Sequence, residues 1–306
     1  MISIILPCYN VGRTIGRCLE SILLQTYEDY EIIIVDYGST DETKNVIDSV
    51  LANTNKPYHY HYMQNYGKNA ALNYGIAQAS GEYLFFINGH DFLNQNILQF
   101  LYQGLITSQT DFIVCDYRES SYRTREVNVY RTPSDVYVNK FTPDEYITKT
   151  CKAVVHSDVR FYRIWGKLYK KELFDDYRLT DDIGSEISLM HSLILKSSQI
   201  GTMSYVLYFR TTPPKVPMDM TIAQAYQERI DYLKRRVKKY GAKVILNAYY
   251  QYVMALLDIF RYNTNHAVKT DCVTMVNDII KQYPKCMTKD AVMAYIKKIS
   301  KNVLTK

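Results

Sequence analysis

Short apolar runs alternate with helix-type periodicity along the first hundred residues. Runs of apolar and β-branched residues predict strands over residues 2–6, 31–36, 58–63 and 83–87. Apolar residues three and four positions apart predict helices over residues 13–25, 40–51 and 69–80. Strict alternation of strand and helix predicts an α/β fold with a doubly wound parallel sheet.

The pattern changes beyond residue 110. Residues 111–115 predict a further strand, and residues 117–150 are polar and tyrosine-rich, which is typical of an irregular or hairpin insertion. Later segments carry helical spacing at 161–174 and 187–195 and a last strand at 205–210. Four helices are predicted after residue 220, over 223–240, 242–262, 267–282 and 289–302. We therefore expect an α/β domain over residues 1–215 and a helical region over residues 216–306.

Ligands of a doubly wound sheet bind beyond the carboxyl ends of its strands. Polar residues and glycines occupy those positions in this chain. The segments expected at this edge are residues 7–10, 36–41, 65–69 and 88–91.

Composition places the chain among globular proteins. It has 306 residues, of which 47% are hydrophobic and 22% charged. The sequence lacks a run of about 18 apolar residues, so no membrane-spanning helix is expected. The first residues resemble a β-strand more than a signal peptide. Six scattered cysteines without C-x-x-C spacing favour free thiols in a reducing compartment, and hence a cytoplasmic location.

The formal net charge of +6 is unevenly distributed. Residues 221–306 contain 16 Lys and Arg against 6 Asp and Glu, a balance of +10, whereas residues 1–220 contain 21 against 25, a balance of −4. A basic cluster lies at residues 234–239. It favours either an anionic membrane surface or a solvated face above a homo-oligomer contact. Nucleic acid is not expected, because no nucleic-acid-reading motif is present.

Several motifs occur in an order that resembles glycosyltransferase family 2. Residues 4–10 read IILPCYN, residues 21–27 read SILLQTY, residues 35–41 read VDYGSTD and residues 67–73 read GKNAALN. Residues 165–174 read WGKLYKKELF. The resemblance covers roughly residues 1–215. It implies the GT-A fold, a Rossmann-like and mostly parallel sheet, followed here by the helical region.

The resemblance assigns the nucleotide-sugar site. Tyr9 offers a ring on which a base can stack, and Asp36 can accept hydrogen bonds from base or ribose. Lys68 supplies a positive charge for a diphosphate. Pro7 and Asn88 belong to the same group of donor-binding positions. A strand-end turn remains an alternative role for Tyr9 and Asp36, and a solvated lysine is the alternative for Lys68.

Two family motifs are altered. The second aspartate of the V-D-D motif is Tyr37, and the D-x-D motif aligns with residues 88–91, which read NGHD. The metal position is therefore His90, with Asp91 as a second ligand for Mn²⁺ or Mg²⁺. Imidazole suits Mn²⁺ better than Mg²⁺. The alternative is a cleft-lining His90 that binds no metal.

The acceptor side depends on two further residues. Glu186 aligns with the family's catalytic base and would deprotonate the acceptor hydroxyl, although Asp181 and Asp182 lie close by in sequence. A residue that only stabilises the start of a helix is the alternative for Glu186. Trp165 belongs to the acceptor-side motif, where its indole can stack on a sugar, and core packing is the alternative.

The resemblance implies an enzyme that inverts the configuration of the transferred sugar. It would move a sugar from a nucleotide sugar, a UDP-sugar first among donors, to a glycan, a lipid-linked carrier or a protein. Synthesis of a cell-envelope or surface polysaccharide is the expected process, at the inner face of the membrane as a peripheral protein. The competing hypothesis is a degenerate GT-A protein that binds a glycan or a partner subunit without turnover.

Overall fold

The structure is a computed structural model that describes residues 1–64, 66–120, 136–152, 163–180, 184–211, 220–235 and 237–284. The chain forms two compact units. The first comprises Met1–Pro143, Arg163–Asp181 and Ser192–Pro214, and the second comprises Asp144–Tyr162, Asp182–His191 and Lys215–Lys306. A boundary between domains near residue 215 stays a prediction.

The first unit contains one mixed sheet. Its described strands run in the order β3-β2-β1-β4-β8-β6-β9-β5, and β7 also pairs with β9. The strands are β1 (Ile2–Cys8), β2 (Tyr30–Asp36), β3 (Tyr58–Tyr62), β4 (Tyr83–Phe86), β5 (Phe92–Leu93), β6 (Phe112–Ser120), β7 (Asn139–Phe141), β8 (Lys167–Lys170) and β9 (Ile200–Thr211). Strands β3, β2, β1 and β4 are parallel. The α/β class predicted from the alternating pattern is confirmed.

Helices cover the parallel strands. They are α1 (Ile15–Leu23), α2 (Thr43–Leu51), α3 (Gly67–Gln78) and α4 (Ile97–Ser108). Every residue of β1 and β2 is buried, as expected for strands covered on both faces. Helix α3 packs on both strands at close range, since a Cβ atom at Gly75 would lie 2.6 Å from Cγ2 of Ile5.

One prediction for the middle of the chain is wrong, and a second differs from the structure in the described part of its range. Residues 161–174 were expected to be helical, yet Lys167–Lys170 form β8, followed by a 3₁₀ turn at Lys171–Phe174. Strand β8 pairs antiparallel with both β4 and β6, and this tertiary pairing overrides a short helix-like period. Residues 117–150 were expected to form an irregular or hairpin insertion, and residues 121–135 of this range lie outside the described part of the chain. Instead β6 continues to Ser120, and β7 and α5 (Pro143–Lys152) follow.

The second unit is helical in its described part. Helix α6 (Ser185–Lys196) begins in this unit, and α7 (Met220–Arg235), α8 (Val237–Tyr262) and α9 (His266–Gln282) follow. Helix α8 packs against α7 and α9. The helices predicted over 223–240 and 242–262 correspond to described helical residues Met220–Arg235 and Val237–Tyr262, and residue 236 between them lies outside the described part of the chain. The helix predicted over 289–302 lies outside the described residues.

Membrane-spanning helices are not found among the described segments, since none combines the necessary length with sufficient hydropathy. Cys8, Cys18, Cys115 and Cys272 are buried free thiols, in agreement with the sequence-based expectation.

Candidate active site

Three polar segments meet at the carboxyl edge of the parallel strands. Cys8 at the end of β1 lies opposite Asp36 at the end of β2, and β4 pairs along the other side of β1. The segment 88–91 follows β4 directly. The positions expected from sequence to bind a nucleotide sugar are thus brought together. Pro7 is buried inside β1, so it shapes this edge from within the sheet.

Asp36 is a buried acceptor at this edge, with 1% of its surface exposed. Its Oδ1 accepts a hydrogen bond from the backbone N–H of Ser39 at 2.8 Å, and Oδ2 accepts one from the Tyr60 hydroxyl at 2.9 Å. Burial and the hydrogen bond to Asp36 raise the pKa of Tyr60. Both interactions fix the carboxylate, and each oxygen retains a lone pair for a ligand.

Tyr9 and Tyr37 form a stacked pair beside Asp36. Their ring centroids are 5.2 Å apart with an interplanar angle of 15°. Tyr9 is 38% exposed, whereas burial, followed by Cys8 and Tyr9, raises the pKa of Tyr37 to about 12. Tyr37 occupies the position where the family has an aspartate. This part of the edge therefore presents a pair of stacked aromatic rings in place of a second carboxylate.

Hydrogen bonds join the turns that carry the two tyrosines. Asn10 adopts a left-handed backbone conformation with a φ of 49°, and its Oδ1 accepts from the backbone N–H of Thr40 at 2.8 Å. In return, the backbone N–H of Asn10 donates to Oγ of Ser39 at 3.0 Å. The backbone N–H of Gly12 donates to Oδ2 of Asp41 at 3.0 Å. These contacts hold Tyr9 and Tyr37 in register.

Asp91 is anchored by three donors. Oδ2 accepts from the Tyr208 hydroxyl at 2.5 Å and from Nδ2 of Asn88 at 3.0 Å, while Oδ1 accepts from the backbone N–H of Thr211 at 2.7 Å. Only 2% of Asp91 is exposed. Burial raises its pKa, although these hydrogen bonds act in the opposite direction. The carboxylate thus ties the segment after β4 to the end of β9.

His90 follows β4 and Lys68 begins α3, so both residues lie beyond the carboxyl ends of parallel strands. Nδ1 of His90 lies 3.2 Å from Oγ1 of Thr14, and Thr14 also donates to the carbonyl of Gly89 at 2.9 Å. Burial lowers the pKa of His90; Asp91 opposes this shift, and the nearby charge of Lys68 adds to it. Lys68 is the second residue of α3 and is half-buried.

These residues do not fit a divalent cation. Mg²⁺ and Mn²⁺ prefer oxygen ligands, above all carboxylates, and the single carboxylate of residues 88–91, Asp91, is 2% exposed and accepts three hydrogen bonds from donors of the chain. Asn88 contributes at most a neutral amide oxygen. Within the described ranges, no three His, Cys, Asp or Glu side chains assemble as a metal site. We therefore derive no chemical step from a metal.

Trp165 lies in the core of the first unit. Its ring stacks on Tyr208 with centroids 4.8 Å apart and an angle of 18°, and Tyr117 contacts it edge-on at 5.3 Å. Only 5% of the residue is exposed. This packing favours the core role that the sequence left open, and a role in binding the acceptor stays a prediction.

Glu186 belongs to the second unit, where it lies in the first turn of α6 and is 5% exposed. The start of this helix is fixed by Gly184, whose backbone N–H donates to Oγ1 of Thr221 at 3.0 Å. A Cβ atom at Gly184 would overlap the carbonyl of Thr221, so only glycine fits there. The competing Asp181 and Asp182 lie outside the described residues.

Sequence reasoning missed the residues that hold the site from a distance. Tyr60 binds Asp36, Thr14 contacts His90, and Tyr208 binds Asp91. None belongs to a short motif with the residue that it contacts. Only the pairing of β3 with β2 and of β5 with β9 brings Tyr60 and Tyr208 into place.

Comparisons with known proteins identify the class of this chain. The family described as Glycosyl transferase family 2 matches residues 3–178. The glycosyltransferase GlyG of Streptococcus pneumoniae serotype 4 is 29% identical over 209 residues, which cover 68% of this chain and 69% of GlyG.

Two solved structures share the fold. TarS 1–349 of S. aureus, in complex with UDP-GlcNAc, aligns with a TM-score of 0.60 and 16% identity over 93% of this chain and 91% of that chain. The mannosyltransferase PcManGT of Pyrobaculum calidifontis, in complex with GDP-Man and Mn²⁺, aligns with a TM-score of 0.57 and 16% identity, covering 99% and 86%. The fold is GT-A, as the sequence motifs implied. The family match spans more than half of the chain, and the protein belongs to glycosyltransferase family 2.

Proposed function

We propose that this glycosyltransferase moves a sugar from a nucleotide sugar to a hydroxyl group of a glycan, lipid-linked or protein acceptor. The observation that carries the proposal is the stacked Tyr9–Tyr37 pair beside the buried Asp36 at the carboxyl edge of the sheet. An aromatic face can stack on a base, and a fixed carboxylate can accept from base or ribose hydroxyls. Lys68 supplies the charge that a diphosphate requires.

The donor is proposed to be a UDP-sugar. TarS binds UDP-GlcNAc and PcManGT binds GDP-Man, so relatives with this fold accommodate either base. Uracil is a smaller ring system than guanine. It suits this site because Tyr37 is a bulkier side chain than the aspartate of the family motif. Stacking is tolerant of base identity, which makes the comparison of UDP with GDP informative.

The proposed reaction is a single displacement with inversion. Glu186 accepts the proton of the acceptor hydroxyl, and the acceptor oxygen forms a bond to the anomeric carbon. The bond between that carbon and the phosphate oxygen breaks, and the nucleoside diphosphate leaves. Positive charge near the departing diphosphate stabilises the transition state. A Mn²⁺ or Mg²⁺ ion held by His90 and Asp91 stays a sequence-based prediction, which the anchoring of Asp91 does not support.

We further propose a polysaccharide or lipid-linked acceptor at the cytoplasmic face of a membrane. Arg235 and Lys238 are exposed on α7 and α8, and Lys234 donates to the Tyr249 hydroxyl at 3.3 Å. Arg236 and the side chain of Lys239 lie outside the described residues. Basic side chains on a helical surface favour anionic lipid headgroups. A homo-oligomer contact on this surface is the alternative.

The test is calorimetric titration with UDP and GDP, followed by incubation with nucleotide sugars and candidate acceptors. Release of nucleoside diphosphate that depends on the acceptor is the expected result. Nucleotide binding without transfer or hydrolysis of any donor would favour the degenerate GT-A hypothesis. Absence of nucleotide binding would overturn the proposal.

A further inference from the structure

Asp91 is the only carboxylate in the segment that aligns with the family's D-x-D motif, and it serves as an anchor. Tyr208, Asn88 and the backbone N–H of Thr211 occupy its two oxygens at 2.5, 3.0 and 2.7 Å. The residue is 2% exposed. Three of the roughly four acceptor positions of this buried carboxylate are taken by donors of the chain, so at most about one remains for a cation.

The other positions of this segment are neutral oxygen or nitrogen donors. The Asn88 amide already donates to Asp91, and Nδ1 of His90 lies 3.2 Å from Oγ1 of Thr14. A site made from one amide oxygen and one imidazole carries no negative charge. Affinity for a hard divalent cation rises with the number of charged oxygen ligands, so such a site is poor for Mg²⁺ and weak for Mn²⁺.

A positively charged side chain lies at the same edge of the sheet. Lys68 is in the first turn of α3, which begins beyond the carboxyl end of the parallel strand β3, and this turn is the positive end of the helix dipole. An ammonium group is a point charge that binds phosphate oxygens without demands on geometry. Lysine at a helix start is thus suited to the diphosphate that would otherwise need a divalent cation.

We propose that Lys68 holds the diphosphate of the donor at the edge of the sheet that also carries His90, and that nucleotide binding requires no divalent cation bound by Asp91. This inference rests on the proposed function, since it concerns the same nucleotide-sugar site. It assigns Asp91 as a positioning residue for the segment that carries His90.

The experiment is titration of UDP and GDP into the full chain, once with EDTA and once with Mn²⁺. Lys68→Met, Lys68→Arg and the control Lys140→Met are compared, since Lys140 is exposed on β7. We expect the dissociation constant to change less than about twofold between EDTA and Mn²⁺. Lys68→Met should weaken binding about tenfold, with Lys68→Arg closer to wild type and Lys140→Met unchanged.

The outcomes separate this inference from the proposed function. Nucleotide binding that appears only with Mn²⁺ would overturn the metal-independent site and leave the transferase proposal standing. Metal-independent binding that survives Lys68→Met would overturn the role of Lys68. Failure of both nucleotides to bind under either condition would overturn the proposed function and this inference with it.

Discussion

The Tyr208 hydroxyl donates a hydrogen bond of 2.5 Å to Oδ2 of Asp91, across 117 positions of sequence. The same tyrosine ring stacks on Trp165, and the same carboxylate accepts from the N–H of Thr211. The buried contact between Tyr208 and Asp91 therefore links the aromatic core to the end of β9 and to the segment that carries His90. The family motif alone suggests that Asp91 binds a metal ion. Its hydrogen bonds to Tyr208, Asn88 and Thr211 favour a structural role instead.

Tyr208→Phe is expected to lower the free energy of unfolding by about 1–3 kcal/mol, because it leaves a buried carboxylate without one of its donors. Removing the donor also raises the pKa of Asp91 further, so the loss should be larger at neutral pH than where Asp91 is protonated. Urea unfolding at two pH values measures both effects. Tyr62→Phe, at a residue 63% exposed, is the control and should change stability little. Equal stability of Tyr208→Phe and wild type would contradict the anchoring role.

His191 is expected to make stability depend on pH in the second unit. Its Nε2 is buried without a hydrogen bond among the described residues, and burial, with Arg229 nearby, lowers the pKa of His191 to about 4. Below the ordinary value of about 6.5 the unfolded chain takes up a proton that the folded chain does not. Stability should fall between about pH 6.5 and 4, by up to roughly 3 kcal/mol, and level off below.

The measurement is the free energy of unfolding as a function of pH for His191→Phe and wild type. The variant should have a shallower slope between pH 6.5 and 4 than wild type, and the slope that remains comes from other groups, such as His90, whose pKa is also lowered by burial. His266→Gln changes an exposed histidine at the start of α9 and should retain the slope. A His191→Phe curve parallel to wild type would rule out this histidine as the source.

Tyr9→Ala is expected to weaken nucleotide binding. Stacking of a base on an aromatic side chain contributes about 1–3 kcal/mol, which corresponds to roughly a 5- to 150-fold change in dissociation constant. Tyr9→Phe should retain most of the affinity because it keeps the ring. Titration with UDP checks both variants, and Tyr62→Ala on β3 serves as the control. An unchanged affinity in Tyr9→Ala would place the base elsewhere.

Glu186→Gln is expected to lower the rate of transfer by roughly 10²–10⁴-fold while nucleotide affinity stays the same, because the amide cannot accept the acceptor proton. The readouts are acceptor-dependent release of nucleoside diphosphate and calorimetric binding. Glu82→Gln alters an exposed glutamate and should leave both unchanged. Full activity in Glu186→Gln would assign the base to another carboxylate, with Asp181 and Asp182 the next to replace.

Substitution of Arg235 and Lys238 by Gln is expected to reduce binding to vesicles that contain anionic lipid. Each basic side chain near such a surface contributes about 1 kcal/mol, so the pair should account for roughly a 30-fold loss. Co-sedimentation with anionic and neutral vesicles measures this at two salt concentrations. Equal binding of variant and wild type, or binding that is insensitive to salt, would count against a membrane surface.

The sequence by itself determined the α/β class, the parallel strands β1 to β4 and the edge at which the site lies. The spacing of apolar residues and the positions of turn residues are local properties of the sequence. The carboxyl ends of neighbouring parallel strands lie at the same edge of a sheet, whatever their side chains are. The ordered motifs also determined the family, which the match over residues 3–178 confirmed. The local pattern failed at β8, where pairing with β4 and β6 outweighs a short helical period.

Only the tertiary structure decided what the motif residues do. Tyr37 could be recognised in the sequence as a departure, but not as the stacking partner of Tyr9. The sequence presents Asp91 as a candidate metal ligand, and only the structure adds that Tyr208 and Thr211 donate hydrogen bonds to its two oxygens. The physical reason is that a carboxylate's role depends on the donors that surround it. Those donors come from strands distant in sequence and adjacent only after the sheet has formed.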